Sequence, residues 1–228
     1  MLARFPEALL FPYLAVALTL VTTVLGRPAF LRKYRDFKAV LLYFASFFTL
    51  LFALPCLIIL VFSDRPIEFF RLVGFSAGRA GRGLLITAVS LPAVFLSAVV
   101  GSADRRMRAF YPYAKTACAG RGRFVLYGFA YFLLYYLPWE FTYRGLLFFP
   151  ILAEAGLPTA LAVQTGLSTL HHRGHPPTEI LAAAAAGIAF GLIAYATRSF
   201  FYTTLIHALV GIGTDAFICL RSRRTPAT

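Results

Sequence analysis

Leu137-Pro138-Trp139-Glu140-Phe141-Thr142-Tyr143-Arg144-Gly145 sets a carboxylate and a guanidinium in the middle of a long apolar run. Four residues apart on a helix, Glu140 and Arg144 share a face, with the acid N-terminal to the base, the better orientation for pairing. A charge at the centre of a bilayer costs about 3 kcal/mol on insertion scales and more by simulation. A chain carries that cost where the pair faces a protein interior or a wet cavity. Glu140 and Arg144 are then either a structural ion pair locking helices together or an active-site carboxylate held by an arginine. Ionisable groups inside membrane segments are functional candidates by default, so the second reading leads.

The composition sets the class. The chain of 228 residues is 60% hydrophobic and only 14% charged, against about 25% charged for an ordinary soluble domain. Its mean hydropathy is +0.76. One soluble core cannot hide that much apolar surface, so the expected fold is an all-α, polytopic transmembrane bundle. The net charge of +13 does not point to nucleic acid. Most Lys and Arg fall in short loops between apolar runs, as cytoplasmic loops do. The expected partners are membrane lipid and a peptide or protein substrate. Cys56, Cys118 and Cys219 form no CxxC and no metal-ligand spacing, and Cys56 and Cys219 read as small hydrophobes. The first apolar run lacks an A-x-A site and is followed by a basic loop, so it reads as a span and not as a cleavable signal.

Apolar segments are expected at about 9–25, 39–62, 84–100, 124–152, 159–172, 179–196 and 200–220. The fourth is about 40 Å long at 1.5 Å per residue, so it must tilt or kink at Pro138. Residues 63–83 alternate aromatic or aliphatic with charged side chains and read as an interfacial amphipathic piece ending in a glycine-rich basic step. Basic residues concentrate at Arg27, Arg32, Lys33, Arg35 and Lys38, again from Arg105 to Arg123, and in the tail at Arg221, Arg223 and Arg224. Placing all three inside gives seven spans, with the N-terminus outside and the C-terminus cytoplasmic. The expected location is the inner membrane of a prokaryotic cell. The whole chain, 1–228, reads as one integral membrane domain.

The polar residues of the second half converge by depth. Gly156-Leu157-Pro158 is the turn between the fourth and fifth segments. Glu140 lies sixteen residues before Gly156 and His172 sixteen after, so the two reach similar depth. His207 begins about 10 Å into the last segment by helix rise, and the same count leaves it some 10 Å short of the pair. A carboxylate near a histidine in an enclosed wet pocket can activate water as general base, and a second histidine can donate to the developing oxyanion. Glu, His and His could also bind zinc, but they lie on three segments and no HExxH is present. No cofactor is expected on spacing.

Three stretches resemble the CPBP family of intramembrane proteases, which includes the CAAX prenyl endopeptidases and bacteriocin-processing relatives. They are Glu140 to Gly145, Gln164 to His172 with Arg173-Gly174-His175-Pro176 and Glu179, and Thr197-Arg198-Ser199 followed by His207. The resemblance covers about 124–217. It implies a helical bundle with its site in a membrane cavity, where a Glu and a His activate water and the third-motif His and Asn stabilise the oxyanion. Carried onto this chain, Glu140 is the general base, Arg144 its positioning partner, His172 the second water-activating group and His207 the oxyanion donor. The chain departs from the pattern at Trp139, which replaces the first Glu of the EExxxR motif, and at Gly211, which replaces the Asn. The second-motif Phe is Leu167 if His171 is the motif histidine and Ser168 if it is His172. The downstream Gly174 to Pro176 and the depth count favour His172. Asp215, one turn beyond Gly211 on the same face, is a candidate substitute for the Asn.

The expected function is therefore an integral membrane endopeptidase. The alternatives are a non-catalytic relative that binds a peptide or partner in the same cavity, and a small transporter using Glu140, Arg144 and the histidines as a proton relay.

Overall fold

A computed structural model describes residues 10–22 and 36–224. Arg27, Arg32, Lys33 and Arg35 of the first basic loop lie outside the described residues. The described chain is helical throughout its ordered elements: α1 Leu10–Val21, α2 Phe37–Phe62, α3 Pro66–Leu72, α4 Ala80–Ala103, α5 Arg105–Phe110, α6 at 121–155, α7 at 157–171, α8 Pro177–Thr197 and α9 Phe201–Arg224. Five stretches are long and apolar enough to cross a membrane, among them the continuous 51-residue run Arg121–His171. That run breaks at Gly156, whose φ of 78° and ψ of 174° are not helical, so α6 and α7 are two passes folded against each other. Adding the short apolar α1 brings the passes to about seven. Large apolar side chains point outward on several helices, including Leu57, Leu60 and Phe62 on α2, Leu84, Leu85, Val89 and Phe95 on α4, and Leu181 on α8. Lipid covers such faces without penalty, where water would not.

Pro92 sits within an uninterrupted α4, whereas Pro55 and Pro138 are accommodated in another way. Pro55 of α2 follows a π-helical stretch at Thr49–Ala53, and Pro138 of α6 follows one at Phe132–Tyr136. A proline removes one i→i−4 hydrogen bond, and a π-turn re-pairs the backbone around the gap with an extra residue. A second π stretch, Phe141–Leu147, carries Arg144 itself. The strain expected at Pro138 is thus spread over three turns.

The core is an aromatic ladder. Tyr127, Tyr131, Tyr135, Trp139 and Tyr143 recur every fourth residue along α6, and all are buried. The Tyr131 ring stacks on Phe44 of α2 at 4.8 Å between centroids, and Tyr135 on Phe47 at 4.4 Å. Trp139 continues the stack onto His171 of α7 at 4.6 Å. Offset aromatic pairs of this kind are worth about 0.5–1.5 kcal/mol beyond their burial. The ladder therefore fixes the rotation of α6, and with it the direction in which Glu140 and Arg144 point.

Three expectations are corrected. The piece at 63–83 is not only interfacial: Phe69 of α3 and Val73 just after it are fully buried and pack with Phe141, Leu146 and Phe200. The glycine-rich step belongs to α4, which starts at Ala80. Cys219 is no lone hydrophobe, because it forms a disulfide with Cys118. The bond ties the end of α9 to the loop after α5, and Arg221 fastens the same end to α4 by donating from Nε to Ser102 Oγ at 3.1 Å.

Candidate active site

Glu140 and Arg144 form a buried pair. Arg144 Nη1 donates to Glu140 Oε1 at 3.3 Å, and the two side chains are 3% and 0% exposed. The guanidinium also lies over the Phe190 ring, 5.3 Å from its centroid, a contact that partly replaces lost hydration. His207 places Nδ1 2.7 Å from the same Oε1. One carboxylate oxygen thus gathers both partners, and the expected gap of some 10 Å to His207 is closed. The depth count failed because α9 does not begin at the protein surface. Its preceding connector is buried, with Thr197, Ser199 and Phe200 at 0% exposure, and Arg79 N donates to the Thr197 carbonyl at 2.7 Å. The helix starts deeper than a surface turn would allow.

A cavity of about 660 Å³ opens between α4, α6, α8 and α9. Alanines of α8, with Val94, Phe190, Ile206 and Val210, make most of its wall apolar, and His172, Glu179, His207, Asp215 and Tyr136 supply polar groups. Glu140 is not part of that wall. It meets the cavity through His207, whose Nδ1 it holds. With Nδ1 engaged as the donor, the neutral imidazole has Nε2 as its acceptor.

The two adjacent histidines separate cleanly. His171 is fully buried. Its Nδ1 lies 2.6 Å from the Tyr143 hydroxyl, and its ring stacks on Trp139. His172 lines the cavity, with its ring 4.9 Å from Trp139 in an edge-on contact. Its Nδ1 sits 2.7 Å from the Ser168 carbonyl, so Nδ1 carries the proton and Nε2 is left as acceptor. Nε2 is 4.0 Å from Glu179 Oε1.

Asp215 is buried and lines the cavity, but it accepts from the Tyr127 hydroxyl at 2.8 Å and makes no contact with the Glu140 group. The space at Gly211 belongs to Tyr136. A Cβ at position 211 would overlap the Tyr136 hydroxyl, and the same ring lies 4.7 Å from His207. Tyr136 thus fills the volume that a longer residue at 211 would take, and it brings a hydroxyl to the cavity wall beside His207. Sequence reasoning did not single out Tyr136. The fixed four-residue recurrence of aromatics in α6 excludes it from the ladder and was the available signal that it faces elsewhere.

Fold and site together define a polytopic helical membrane protein in which a buried Glu–Arg–His cluster backs an intramembrane cavity. The family model described as type II CAAX prenyl endopeptidase Rce1-like matches residues 121–212. The matched stretch runs from the start of α6 into α9 and holds Glu140, Arg144, His172, His207 and Gly211, the positions on which the resemblance to CPBP intramembrane proteases rests. The match bears out that resemblance and supports, in general terms, a membrane enzyme of the protease type. No curated protein and no solved structure matches the chain.

Proposed function

We propose that this chain is an integral membrane endopeptidase that hydrolyses a peptide bond within or beside the bilayer with a water activated inside the cavity. One observation carries the reading. Glu140 and Arg144 hold His207 from behind through a single carboxylate oxygen, while His207 and His172 both present their rings to one cavity. In this arrangement Glu140 acts as base through His207. Nε2 of His207 takes the proton of the attacking water as the oxygen adds to the scissile carbonyl carbon. Glu140 stabilises the imidazolium that forms, and Arg144 keeps Glu140 ionised and in place. His172 Nε2 accepts the water's other hydrogen, and the Tyr136 hydroxyl is a donor for the oxyanion. Collapse of the tetrahedral intermediate returns the proton from His207 to the leaving amine. The apolar alanine wall of α8 suits a substrate segment that arrives from the lipid. The basic loop at Arg105 and the end of α9 share one face, proposed as cytoplasmic from their charge.

The test is proteolysis in membranes, comparing the unmodified chain with Glu140→Gln. The amide keeps size and polarity but cannot stabilise an imidazolium. Turnover should fall by about 10²–10⁴ with the fold retained, and His207→Ala and His172→Ala should fall in the same class. A Glu140→Gln variant that cleaves as fast as the unmodified chain would eliminate the catalytic reading. A second reading, a non-catalytic relative that binds a peptide in the cavity, draws on Trp139. Its indole is 1% exposed, stands at the sequence position of the first-motif carboxylate and touches both His171 and His172.

A further inference from the structure

We propose that His172, His175 and Glu179 form a binding site for a zinc-class divalent cation at the polar end of the cavity. One imidazole nitrogen of each histidine and one carboxylate oxygen lie within 4.8 Å of one another. His175 Nδ1 is 2.8 Å and His172 Nε2 is 4.0 Å from Glu179 Oε1. Bonds of about 2.0–2.1 Å in a tetrahedral site set ligand atoms roughly 3.3 Å apart. The observed separations straddle that value, so small rotamer adjustments bring all three onto one ion.

The surroundings are those of a metal site. The His172 Nδ1–H is fixed on the Ser168 carbonyl at 2.7 Å, which selects the tautomer whose lone pair is on Nε2 and orients the ring, as outer-shell partners of zinc histidines do. The Tyr111 hydroxyl lies 2.6 Å from Glu179 Oε1 and 2.9 Å from His175 Nδ1, so the carboxylate also has an orienting donor. The turn that brings the residues together is tight: His175 N donates to the His172 carbonyl at 2.9 Å, and α8 begins at Pro177. Ligand type selects the ion. Two imidazoles and one carboxylate suit zinc, cobalt or nickel, whereas calcium and magnesium prefer all-oxygen sets. His172 and Glu179 line the cavity, so the fourth position of the ion faces it and is open to water or a substrate carbonyl. Arginine and lysine side chains are not part of the cavity wall, so no fixed cation there opposes the ion.

The site shares His172 with the proposed hydrolytic cavity, and with an ion bound the His172 Nε2 ligates it instead of accepting from water; binding is therefore tested without substrate. Full-length protein in detergent is stripped with chelator and titrated with Zn²⁺ by calorimetry, and its Co²⁺ form is examined by visible absorption. The expected result is one equivalent of zinc per chain and the intense d–d bands of tetrahedral cobalt. Glu179→Gln and His175→Ala should lose stoichiometric binding, Tyr111→Phe should weaken it about 10–100-fold, and Glu140→Gln should load normally. Circular dichroism and gel filtration establish that each variant is folded. Failure of the unmodified chain to hold an equivalent, or cobalt spectra of octahedral type, overturns the proposal whatever the variants do. So does retention of full loading by folded Glu179→Gln and His175→Ala. Loss of proteolysis in Glu140→Gln with intact zinc loading separates this site from the Glu140 chemistry, and absence of proteolysis in the unmodified chain leaves the metal result standing.

Discussion

Replacing Arg144 by alanine should unbalance the centre of the molecule. The guanidinium and the Glu140 carboxylate are 3% and 0% exposed and 3.3 Å apart, so the substitution strands a carboxylate away from water, left to His207 and Thr203. Breaking a buried pair from one side costs about 3–5 kcal/mol. Lost packing of the guanidinium against Phe190 adds to this. For a chain of this size each kcal/mol moves the melting temperature by about 2–4 °C, so the drop should be roughly 6–20 °C. Arg105→Ala is the control, because Arg105 is exposed and surface changes stay within about 0.5 kcal/mol. Lys115 of the same basic stretch is unsuitable as a control: its Nζ donates to the carbonyls of Arg108 and Tyr111 and fastens that loop. Thermal unfolding in detergent, followed by circular dichroism, measures the difference. The informative comparison is the double variant Glu140→Gln/Arg144→Ala, which removes the stranded charge and should be more stable than Arg144→Ala alone. Equal melting for Arg144→Ala and Arg105→Ala, or a double variant as unstable as the single, would refute the reasoning.

His171→Ala should lower stability by about 2–5 kcal/mol, because it deletes a fully buried ring stacked on Trp139, yet leave turnover per folded molecule within a few-fold; melting and specific activity on the same preparation check this, and a collapse of specific activity at normal stability would move the site histidine from 172 to 171. Gly211→Ala should force Tyr136 out of place and cost about 1–3 kcal/mol by overpacking, with loss of activity if the hydroxyl serves the oxyanion; Tyr136→Phe/Gly211→Ala should recover stability and not activity. Asp104 accepts backbone hydrogen bonds from Met107 and Arg106 at 3.0 and 2.6 Å, and these, led by Met107, hold its carboxyl below the usual range. A group lowered in this way caps α5 above its unfolded value, and the cap is lost as pH falls through the folded one, so hydrogen-exchange protection at 105–110, taken relative to the intrinsic rate at each pH, should fall in acid in the native chain more than in Asp104→Asn.

The class and the span pattern were legible because they depend on composition and on the length of apolar runs, which the bilayer reads almost one residue at a time. The fold-back at Gly156 was legible as well, from Gly-Leu-Pro, and with it the approach of the Trp139-Glu140 turn to His172. What escaped was anything set by packing between distant segments. The contact of His207 with Glu140 depended on how deep α9 starts, and that is decided by the burial of Thr197 to Phe200 against other helices. Cys219 was misplaced for the same reason: its partner, the sulfur of Cys118, is brought to it by tertiary structure. His175 and Glu179 were read as downstream motif residues. Their convergence with His172 needed the turn at Gly174 to Pro177 to be seen in three dimensions.

The sharing of a single Glu140 oxygen by Arg144 and His207 has a consequence for the electrostatics of a reaction cycle. In the proposed cycle the resting unit is neutral, one carboxylate, one guanidinium and one imidazole that has yet to take the proton of water. Under the proposed chemistry, when His207 takes a proton the unit becomes a monocation at the moment the substrate becomes a tetrahedral monoanion, and when the proton is passed to the leaving amine both return to zero. No net charge is created inside the membrane at any step. Arg144 is what makes this possible, because without it the resting unit would be an anion and the oxyanion would form facing an unbalanced site.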